Sequence, residues 1–379
     1  MKFKVWGLII LAALIAAGSE SAIAAMSRVN YVVYKDGSAY KARNEATGTV
    51  DYSGDDAALA IQKAIDAVHA GGGGKVFLKE SLHGAELNSG LKMPLNASIA
   101  LIGEEPFVML IKHFNGDMLT AGKGRYIIKN LALDGNRKSY SGDGIVIKGD
   151  GGGGSNQHIF ENLFIIRMKE VGLRLIGLYC CQLSNVHIGE GCKVGLYIDS
   201  CSTLNILNSE IWNNLQSGVE IATETLPHYT STNINFIGGS IGGNQYGVKA
   251  NGAYAVNFSG THMEANSINC IALQSVRTSV ITGCTLSQDT KTPVIRGWGA
   301  ADPYGAWNVH IFGNQFGFYG KDEKDNPLPV IQFDDNSYYN VVGVNRGSPD
   351  FTYNYVSGGK YTQVTDPQCK PKSTPAPGK

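Results

Sequence analysis

Charged and aromatic residues recur at one position of a repeated five-residue segment in the middle of the chain. The segment reads GLRLI from Gly172, GLYID from Gly195, GVEIA from Gly218 and GVKAN from Gly247. Its alternating apolar residues indicate a β-strand with one buried and one exposed face. The exposed face is predicted to carry the third-position residues Arg174, Tyr197, Glu220 and Lys249 and, two positions later, Asp199 and Asn251.

Two carboxylates on neighbouring strands suit the chemistry of sugar cleavage. Asp199 and Glu220 are diagonal neighbours in this arrangement, with Cα atoms about 8 Å apart. That separation permits acid and base roles, or an acid and a nucleophile, in glycoside hydrolysis. A lyase instead needs a base to take a proton beside a uronate carboxylate and a cation to stabilise the resulting charge. Lys249 or Arg174 could serve in this chemistry, and Asp199 and Glu220 would then hold Ca²⁺. We predict Asp199, Glu220 and Lys249 as catalytic residues, with a soluble, purely structural face as the competing interpretation.

Other residues near this face are candidates for binding a substrate. The face itself offers Arg174, Tyr197 and Asn251. The insertion RGWGAADPYGAW carries Trp298 and Trp307, whose rings either form a stacking wall for sugars or fold back to cover a coil. The insertion ATETLPHYT carries His228, which is an acid/base candidate or an ordinary loop histidine.

A longer repeat explains how these strands come to lie side by side. Eight segments place an apolar anchor two positions before Asn or Gly, at steps mostly close to 23 or 30 residues: IKNLAL at Ile128, FENLFI at Phe160, LSNVHI at Leu183, ILNSEI at Ile206, FIGGSI at Phe236, FSGTHM at Phe258, ITGCTL at Ile281 and IFGNQF at Ile311. A period near 23 with two apolar β-type segments, short turns and abundant Gly is what a coil of three short parallel strands per turn requires. The predicted fold class is all-β, a right-handed, single-stranded parallel β-helix.

The residue two positions after each anchor is always Asn or Gly. The eight positions are Asn130, Asn162, Asn185, Asn208, Gly238, Gly260, Gly283 and Gly313. Asn and Gly are the residues that best tolerate a positive φ angle. We predict that this Asn/Gly column stacks along the coil and turns one strand sharply into the next.

The open strand edges at the ends of a coil must be covered. The stretch DDAALAIQKAIDAV, residues 55–68, indicates an N-capped amphipathic helix over the N-terminal end, with Leu59, Ile61, Ile65 and Val68 on its apolar side. KVFLK at Lys75 is predicted to start the first strand. We expect a signal peptide at 1–24, a lead at 25–50, the capped β-helix at 51–345, and an extension at 346–379 that ends in a disordered Pro/Lys-rich tail.

The composition and the N-terminal sequence indicate which binding partners and which cellular location to expect. Lys+Arg and Asp+Glu both number 32, so the net charge is zero and a basic patch for nucleic acid is not expected. Lys2 and Lys4 precede an apolar run, and Ala22 and Ala24 are small residues at the positions that a signal peptidase reads. No later segment is apolar for the roughly 20 residues that cross a bilayer. We therefore expect a secreted or cell-surface protein.

With these features the chain resembles the pectate-lyase-like β-helix superfamily, including its tailspike-like group. The resemblance covers about residues 50–345 and is carried by DDAALAIQKAIDAV, GGGGKVFLKES and LALDGNRKSYSGDGIVI. It implies polysaccharide lyase, glycoside hydrolase, epimerase or noncatalytic surface activity on a common fold. The motif sets of polygalacturonases and pectate lyases are missing, so no catalytic residue is carried over. A Glu common in tailspike-like relatives makes Glu264, in FSGTHMEAN, a reserve candidate.

These predictions favour an exported protein that acts on an acidic or neutral polysaccharide, as a lyase or a glycoside hydrolase. Insertions on both sides of the repeated five-residue strand make its exposed face the natural floor of a groove. The alternative is a noncatalytic β-helix at the cell surface that binds glycans or serves as a stiff spacer. No cofactor is indicated, except Ca²⁺ in the case of a lyase.

Overall fold

The computed structural model describes residues 30–151, 156–226, 230–288, 292–299, 305–318, 330–347, 354–357, 362–365 and 370–371. Within these residues the chain is nearly all β and winds into a solenoid of about 10 turns. Regular turns contribute strands to three parallel ladders, here named A, B and C, and the Asn/Gly column separates ladder A from ladder B. The predicted parallel β-helix is therefore confirmed.

Ladders A and B form one sheet with three N-terminal strands that precede the coil, and this sheet has 23 strands among the described residues. Three strands run through the bend and belong to both ladders: Gly124–Asp134, Ile159–Ile166 and Tyr179–Gly189. Ladder A otherwise comprises Gly74–Leu78, Ala97–Gly103, Ser202–Leu207, Thr232–Ile237, Tyr254–Ser259, Arg277–Thr282, Trp307–Phe312, Val341–Val342 and Gln363–Val364. Ladder B otherwise comprises Ala85–Leu87, Val108–Lys112, Glu210–Trp212, Ser240–Gly242, His262–Glu264, Thr285–Gln288, Gln315–Phe318 and Arg346–Gly347.

Ladder C is a separate sheet, with 12 strands among the described residues. Its strands are Leu91–Met93, Leu119–Ala121, Ile145–Lys148, Val171–Ile176, Val194–Asp199, Ser217–Ala222, Tyr246–Asn251, Asn269–Gln274, Ile295–Trp298, Ile331–Phe333, Asn354–Ser357 and Lys370–Pro371. The repeated five-residue segments of the sequence all fall in this ladder.

The Asn/Gly column has the predicted conformation at every position. All eight residues have φ angles between 46° and 68°, in the left-handed region. Part of the column is also joined through side chains: Asn185 Nδ2 donates to Asn162 Oδ1 at 2.8 Å, and Asn162 Nδ2 donates to Asn130 Oδ1 at 3.0 Å. The amide hydrogen bonds run along the coil axis and tie successive turns together.

The predicted cap is the α-helix Ala57–Ala70, and Asp56 is its N-cap, accepting a hydrogen bond from Leu59 N. Ile61, Ile65 and Val68 are buried as predicted, but Leu59 is 41% exposed, so its assignment to the apolar side was wrong. Alanines complete the buried side instead: Ala57, Ala58, Ala60 and Ala64. Small residues there let the helix pack closely on the first coils.

Strand pairing extends beyond both predicted ends of the coil. The strands Tyr31–Asp36, Ala39–Asn44 and Val50–Gly54 form an antiparallel meander, and the first pairs in parallel with Gly74–Leu78. KVFLK is therefore not the first strand. At the other end, Gln363–Val364 pairs with Val341–Val342, past the predicted boundary at residue 345.

Other expectations about the ends fall outside the described residues. The predicted signal peptide, residues 1–24, and most of the predicted tail lie there. In the part of the chain that the structure describes, no helix is long and apolar enough to cross a membrane.

The side chain of Lys112 places a charged group inside the coil. Lys112 ends a ladder B strand and is fully buried. Among the described residues no hydrogen-bond acceptor contacts its Nζ, which lies 5.5 Å from the centre of the Phe114 ring. Desolvation lowers the pKa of Lys112, although the charges of Asp117 and Asp143 oppose the shift. An ammonium group without a partner is costly to bury.

Lys112→Met is expected to raise the free energy of unfolding at pH 7 by about 1–3 kcal/mol, because it removes that cost and keeps a long side chain. The pKa is lower in the folded chain, so the unfolded chain binds more protons between the two values and wild-type stability rises with pH there. The advantage of the variant should therefore shrink as the pH approaches the unfolded value of about 10.4. Urea unfolding at several pH values measures both effects.

The exposed Lys148, at the end of a ladder C strand, provides the matched control. Lys148→Met should leave the urea midpoint nearly unchanged. A Lys112→Met protein that is less stable than wild type at pH 7 would show that the ammonium group stabilises the coil.

Candidate functional site

The outward face of ladder C carries the row of residues that the repeat predicts. Arg174, Tyr197, Glu220 and Lys249 are paired in register on four consecutive coils, which places neighbours about 4.8 Å apart. Each is half-buried. Their neighbours Leu173, Leu196, Val219 and Val248 are fully buried and face the core. We call these four outward residues the ladder C row.

Arg174 is held in place from the side. Its Nε donates to Asp143 Oδ2 at 2.5 Å, and Asp143 also accepts from Val171 N at 2.9 Å. Burial lowers the pKa of Arg174, but the hydrogen bond to Asp143 and the negative charges nearby, that of Asp143 first, together outweigh it, so the pKa is raised. The guanidinium carbon lies 4.9 Å from the centre of the Tyr197 ring, within cation–π range. Arg174 therefore fixes the position of Tyr197.

Asp199 differs from the expectation that it faces a groove. It is fully buried, and its carboxylate accepts hydrogen bonds from Ser200 Oγ at 2.8 Å, Glu224 N at 3.0 Å and Thr225 N at 3.1 Å. Thr225 Oγ1 donates to it as well. The ladder C strand ends at Asp199. The segment that folds over Asp199 follows the next ladder C strand, Ser217–Ala222, and contains Glu224 and Thr225. The carboxylate holds this segment and presents no free oxygen to a substrate.

Asp199 also acts on its neighbour in the ladder C row. Tyr197 Oη donates to Asp199 Oδ2 at 3.3 Å. Burial, with the adjacent Asp199 charge, raises the pKa of Tyr197 to about 12. The phenol therefore keeps its proton at neutral pH, and its hydroxyl has to leave Asp199 Oδ2 before it can donate that proton to another group.

Glu220 and Lys249 are paired in register on adjacent coils of this face. Ser217 Oγ donates to Glu220 Oε1 at 2.8 Å, which orients the carboxylate. Lys249 Nζ lies 5.8 Å from the centre of the Tyr246 ring. The two side chains occupy adjacent coils without forming an ion pair among the described contacts, so the carboxylate and the ammonium group both remain available to a ligand.

Two coils beyond Lys249, the ladder C strand Ile295–Trp298 shows which residue faces outward. Ile295 pairs with Ile271 and is fully buried, and Arg296 is the outward residue, paired with Ala272. If PVIRG followed the alignment of the earlier five-residue segments, Val294 would face inward and Ile295 outward; the observed register buries both. Arg296 lies 5.2 Å from the Trp298 ring and adds a cation that sequence reasoning missed.

The two tryptophans do not form one wall. Trp298 is on ladder C, in line with Gln274 and, one coil earlier, with Asn251. Trp307 starts a ladder A strand, where it pairs with Arg277 and its ring lies 6.4 Å from that of Tyr339. Only Trp298 extends the ladder C surface.

The remaining candidates lie elsewhere. Glu264 is on ladder B, where its Oε2 lies 3.2 Å from His262 Nε2, so it is remote from the ladder C row. His228 lies outside the described residues. In the described part of the chain, no three His, Cys, Asp or Glu side chains cluster as they would around a metal ion. With its oxygens occupied, Asp199 does not fit the suggested Ca²⁺ site with Glu220.

The ladders and the stacked bend column define a parallel β-helix protein. The mannuronan C-5 epimerase AlgE4 A-module of Azotobacter vinelandii matches with a TM-score of 0.61 at 16% identity, over 83% of this chain and 92% of that chain. The AlgE6 A-module of the same organism gives 0.60 at 18% identity, over 82% and 96%. ORF18 of Geobacillus virus E2 gives 0.50 at 12% identity, over 87% and 68%.

These structures show that the chain has the fold of right-handed parallel β-helix proteins. No protein-family model matches the sequence, and no curated protein matches it either.

Proposed function

We propose that this protein is an exported lyase that cleaves an acidic polysaccharide along the ladder C row. The observation that carries the proposal is the register that places a protonated phenol, a carboxylate and an ammonium group on three consecutive coils, in Tyr197, Glu220 and Lys249. A straight parallel ladder suits a linear polymer. The names of the two epimerases refer to mannuronan, a uronic acid polymer, which supports the choice of an acidic chain.

Each of the three groups has one task in a β-elimination. Lys249 pairs with the uronate carboxylate and stabilises the charge that develops when the neighbouring C5–H bond breaks. Glu220 takes that proton as the general base. The electron pair forms a C4–C5 double bond, the C4–O glycosidic bond breaks, and Tyr197 donates a proton to the departing oxygen. Water then restores the protonation of both side chains.

The position of Asp199 favours a lyase over a glycoside hydrolase. Hydrolases typically use two carboxyl groups on either side of the scissile bond. Because Asp199 is buried and engaged by donors, Glu220 is the one carboxylate in the described ladder C row. A single base with a cation and a proton donor is sufficient for elimination.

Incubation with alginate, polygalacturonate and hyaluronan, and with neutral xylan and β-glucan, tests the proposal. A lyase should raise both the reducing ends and the ultraviolet absorbance of unsaturated uronate ends on an acidic chain. A rise in reducing ends alone indicates hydrolysis, and inversion at C5 without cleavage, seen by NMR, indicates epimerisation. Retardation in a polysaccharide gel without any product would favour the noncatalytic glycan-binding alternative.

The expected export is tested separately. Expression of the full-length chain in a bacterial host should yield a periplasmic protein whose N-terminus, determined by mass spectrometry, follows residue 24. Retention of residues 1–24 would contradict this part of the proposal.

A further inference from the structure

Ladder B presents a second organised face, away from the ladder C row. The outward residues just after the Asn/Gly column stack in register from coil to coil, in the order Phe164, His187, Glu210, Ser240 and His262. We call this set the ladder B row. It combines aromatic rings with hydrogen-bonding groups, and the proposed elimination uses none of it.

Three rings form a continuous stack at one end of this row. The Phe107 and Phe164 ring centres are 5.7 Å apart, and those of Phe164 and His187 are 4.3 Å apart with nearly parallel planes. Phe164 is nevertheless 38% exposed. On its other side the His187 imidazole contacts a carboxylate, because His187 Nδ1 lies 3.2 Å from Glu210 Oε2. Stacking makes this apolar strip rigid, so a ligand would lose little entropy in ordering it.

Trp212 adds a flat platform beside Glu210 on the same strand. Its Nε1 donates to Ser240 Oγ at 2.7 Å, and its ring lies over Gly242 of the next coil. A Cβ atom on Gly242 would come within 2.8 Å of the indole, so a glycine is required for the ring to lie against the backbone. The indole N–H is thus satisfied while part of the ring stays exposed. Such fixed, partly exposed indoles suit contact with the C–H faces of sugars.

A cavity of about 480 Å³ adjoins the stack, within the size range of small-molecule sites. Its lining includes Phe107, Phe164, Asn185, Asn208 and Glu210. The chain of amide hydrogen bonds along the column runs from Asn130 to Asn185, and among the described contacts it does not continue to Asn208. The Asn185 carbonyl and the Asn208 amide are exposed and remain able to bond a ligand.

We propose that the ladder B row, with Trp212 and this cavity, binds a chain of neutral sugars. Carboxamide, carboxylate and imidazole groups pair with hydroxyl groups, and the aromatic strip packs against C–H surfaces. Glu105 and Glu210 line the cavity, and none of the lining residues that the structure describes is Lys or Arg, so charge repulsion disfavours uronic acids. This site is independent of the proposed lyase activity and does not require a reaction at ladder C.

Binding of cellohexaose, mannohexaose and xylohexaose to the full chain, measured by isothermal titration calorimetry, tests the inference, with a polygalacturonate hexamer as the acidic comparison. At least one neutral hexamer should bind, and more tightly than the acidic one. Trp212→Ala should weaken that binding about tenfold or more. Failure of all three neutral hexamers to bind the wild-type protein would overturn the inference.

Asn208→Gly removes the amide with little risk to the fold, because Gly238, Gly260, Gly283 and Gly313 occupy the same bend in later coils. It should weaken neutral-sugar binding about threefold or more. Phe312→Ala removes a more exposed aromatic ring, 44% exposed, from ladder A and should change the affinity less than about twofold. Unchanged affinity in both Trp212→Ala and Asn208→Gly, with native circular dichroism spectra, would also overturn the site assignment.

Discussion

Replacing Glu220 with glutamine is expected to lower the rate of cleavage of an acidic polysaccharide by about 10²- to 10⁴-fold, which is the usual contribution of a general base. Glutamine keeps the size of the side chain and an oxygen to accept the hydrogen bond from Ser217 Oγ. It cannot take the C5 proton. Because substrate would still contact Tyr197 and Lys249, the loss should appear in kcat with a small change in KM. Initial rates of unsaturated-product formation measure both constants.

Glu161→Gln supplies the matched control for this prediction. Glu161 lies on ladder A, where it pairs with Lys129, and it is partly exposed like Glu220. Its replacement should leave kcat and KM unchanged within about twofold. If Glu220→Gln retained full kcat on the substrate of the wild-type protein, Glu220 would not be the base, and another group on the ladder C row would have to take the proton.

The fold was predictable because one backbone requirement leaves a clear mark in the sequence. The sharp bend of the column has positive φ, which Asn and Gly adopt most readily, and all eight column positions hold one or the other. The buried anchors before it need only be apolar, and they vary between Ile, Phe and Leu. The column, and not the anchors, therefore fixes the alignment of the coils.

The strand register was harder to predict where a ladder C segment lacks its initial glycine. The segment TPVIRGW lacks the glycine that begins most ladder C segments, so its apolar pair aligns equally well in two ways. A shift of one residue exchanges the two faces of a strand, and the observed pairing buries Ile295 and exposes Arg296. The sequence likewise gives no sign that Trp298 and Trp307 belong to different ladders, since an insertion separates them.

The sequence predicted which residues share the candidate face but not the surroundings of each one. Alternation correctly placed Arg174, Tyr197, Glu220 and Lys249 on one face, since strand periodicity decides direction. The burial of Asp199 depends on a segment 25 residues later that folds over it, which periodicity does not encode. The ladder B row was missed although the same alignment contained it: the residue two positions after each column residue gives Phe164, His187 and Glu210 in successive coils.

Phe258→Ala is expected to reduce the free energy of unfolding by about 3–5 kcal/mol, the usual cost of deleting a buried phenyl ring. Phe258 is 1% exposed and stacks on Phe236 of the preceding coil, with ring centres 4.9 Å apart and planes 11° apart. In a solenoid each coil contacts mainly its neighbours, so the cavity weakens two adjacent interfaces and leaves distant ones intact. Urea unfolding gives the total loss. Hydrogen exchange should localise it to Thr232–Ile237, Tyr254–Ser259 and Arg277–Thr282.

Phe312→Ala is the control for this change too, because the exposed Phe312 side chain lies on the outside of the same ladder and its loss leaves no cavity. It should cost less than about 0.5 kcal/mol. A loss below about 1 kcal/mol in Phe258→Ala would mean that neighbouring anchors move in to fill the space. Such collapse requires the coils to approach each other, which the backbone hydrogen bonds of ladder A resist because they hold adjacent strands about 4.8 Å apart. A rigid strand spacing is therefore the reason to expect the full cost of the cavity at this position.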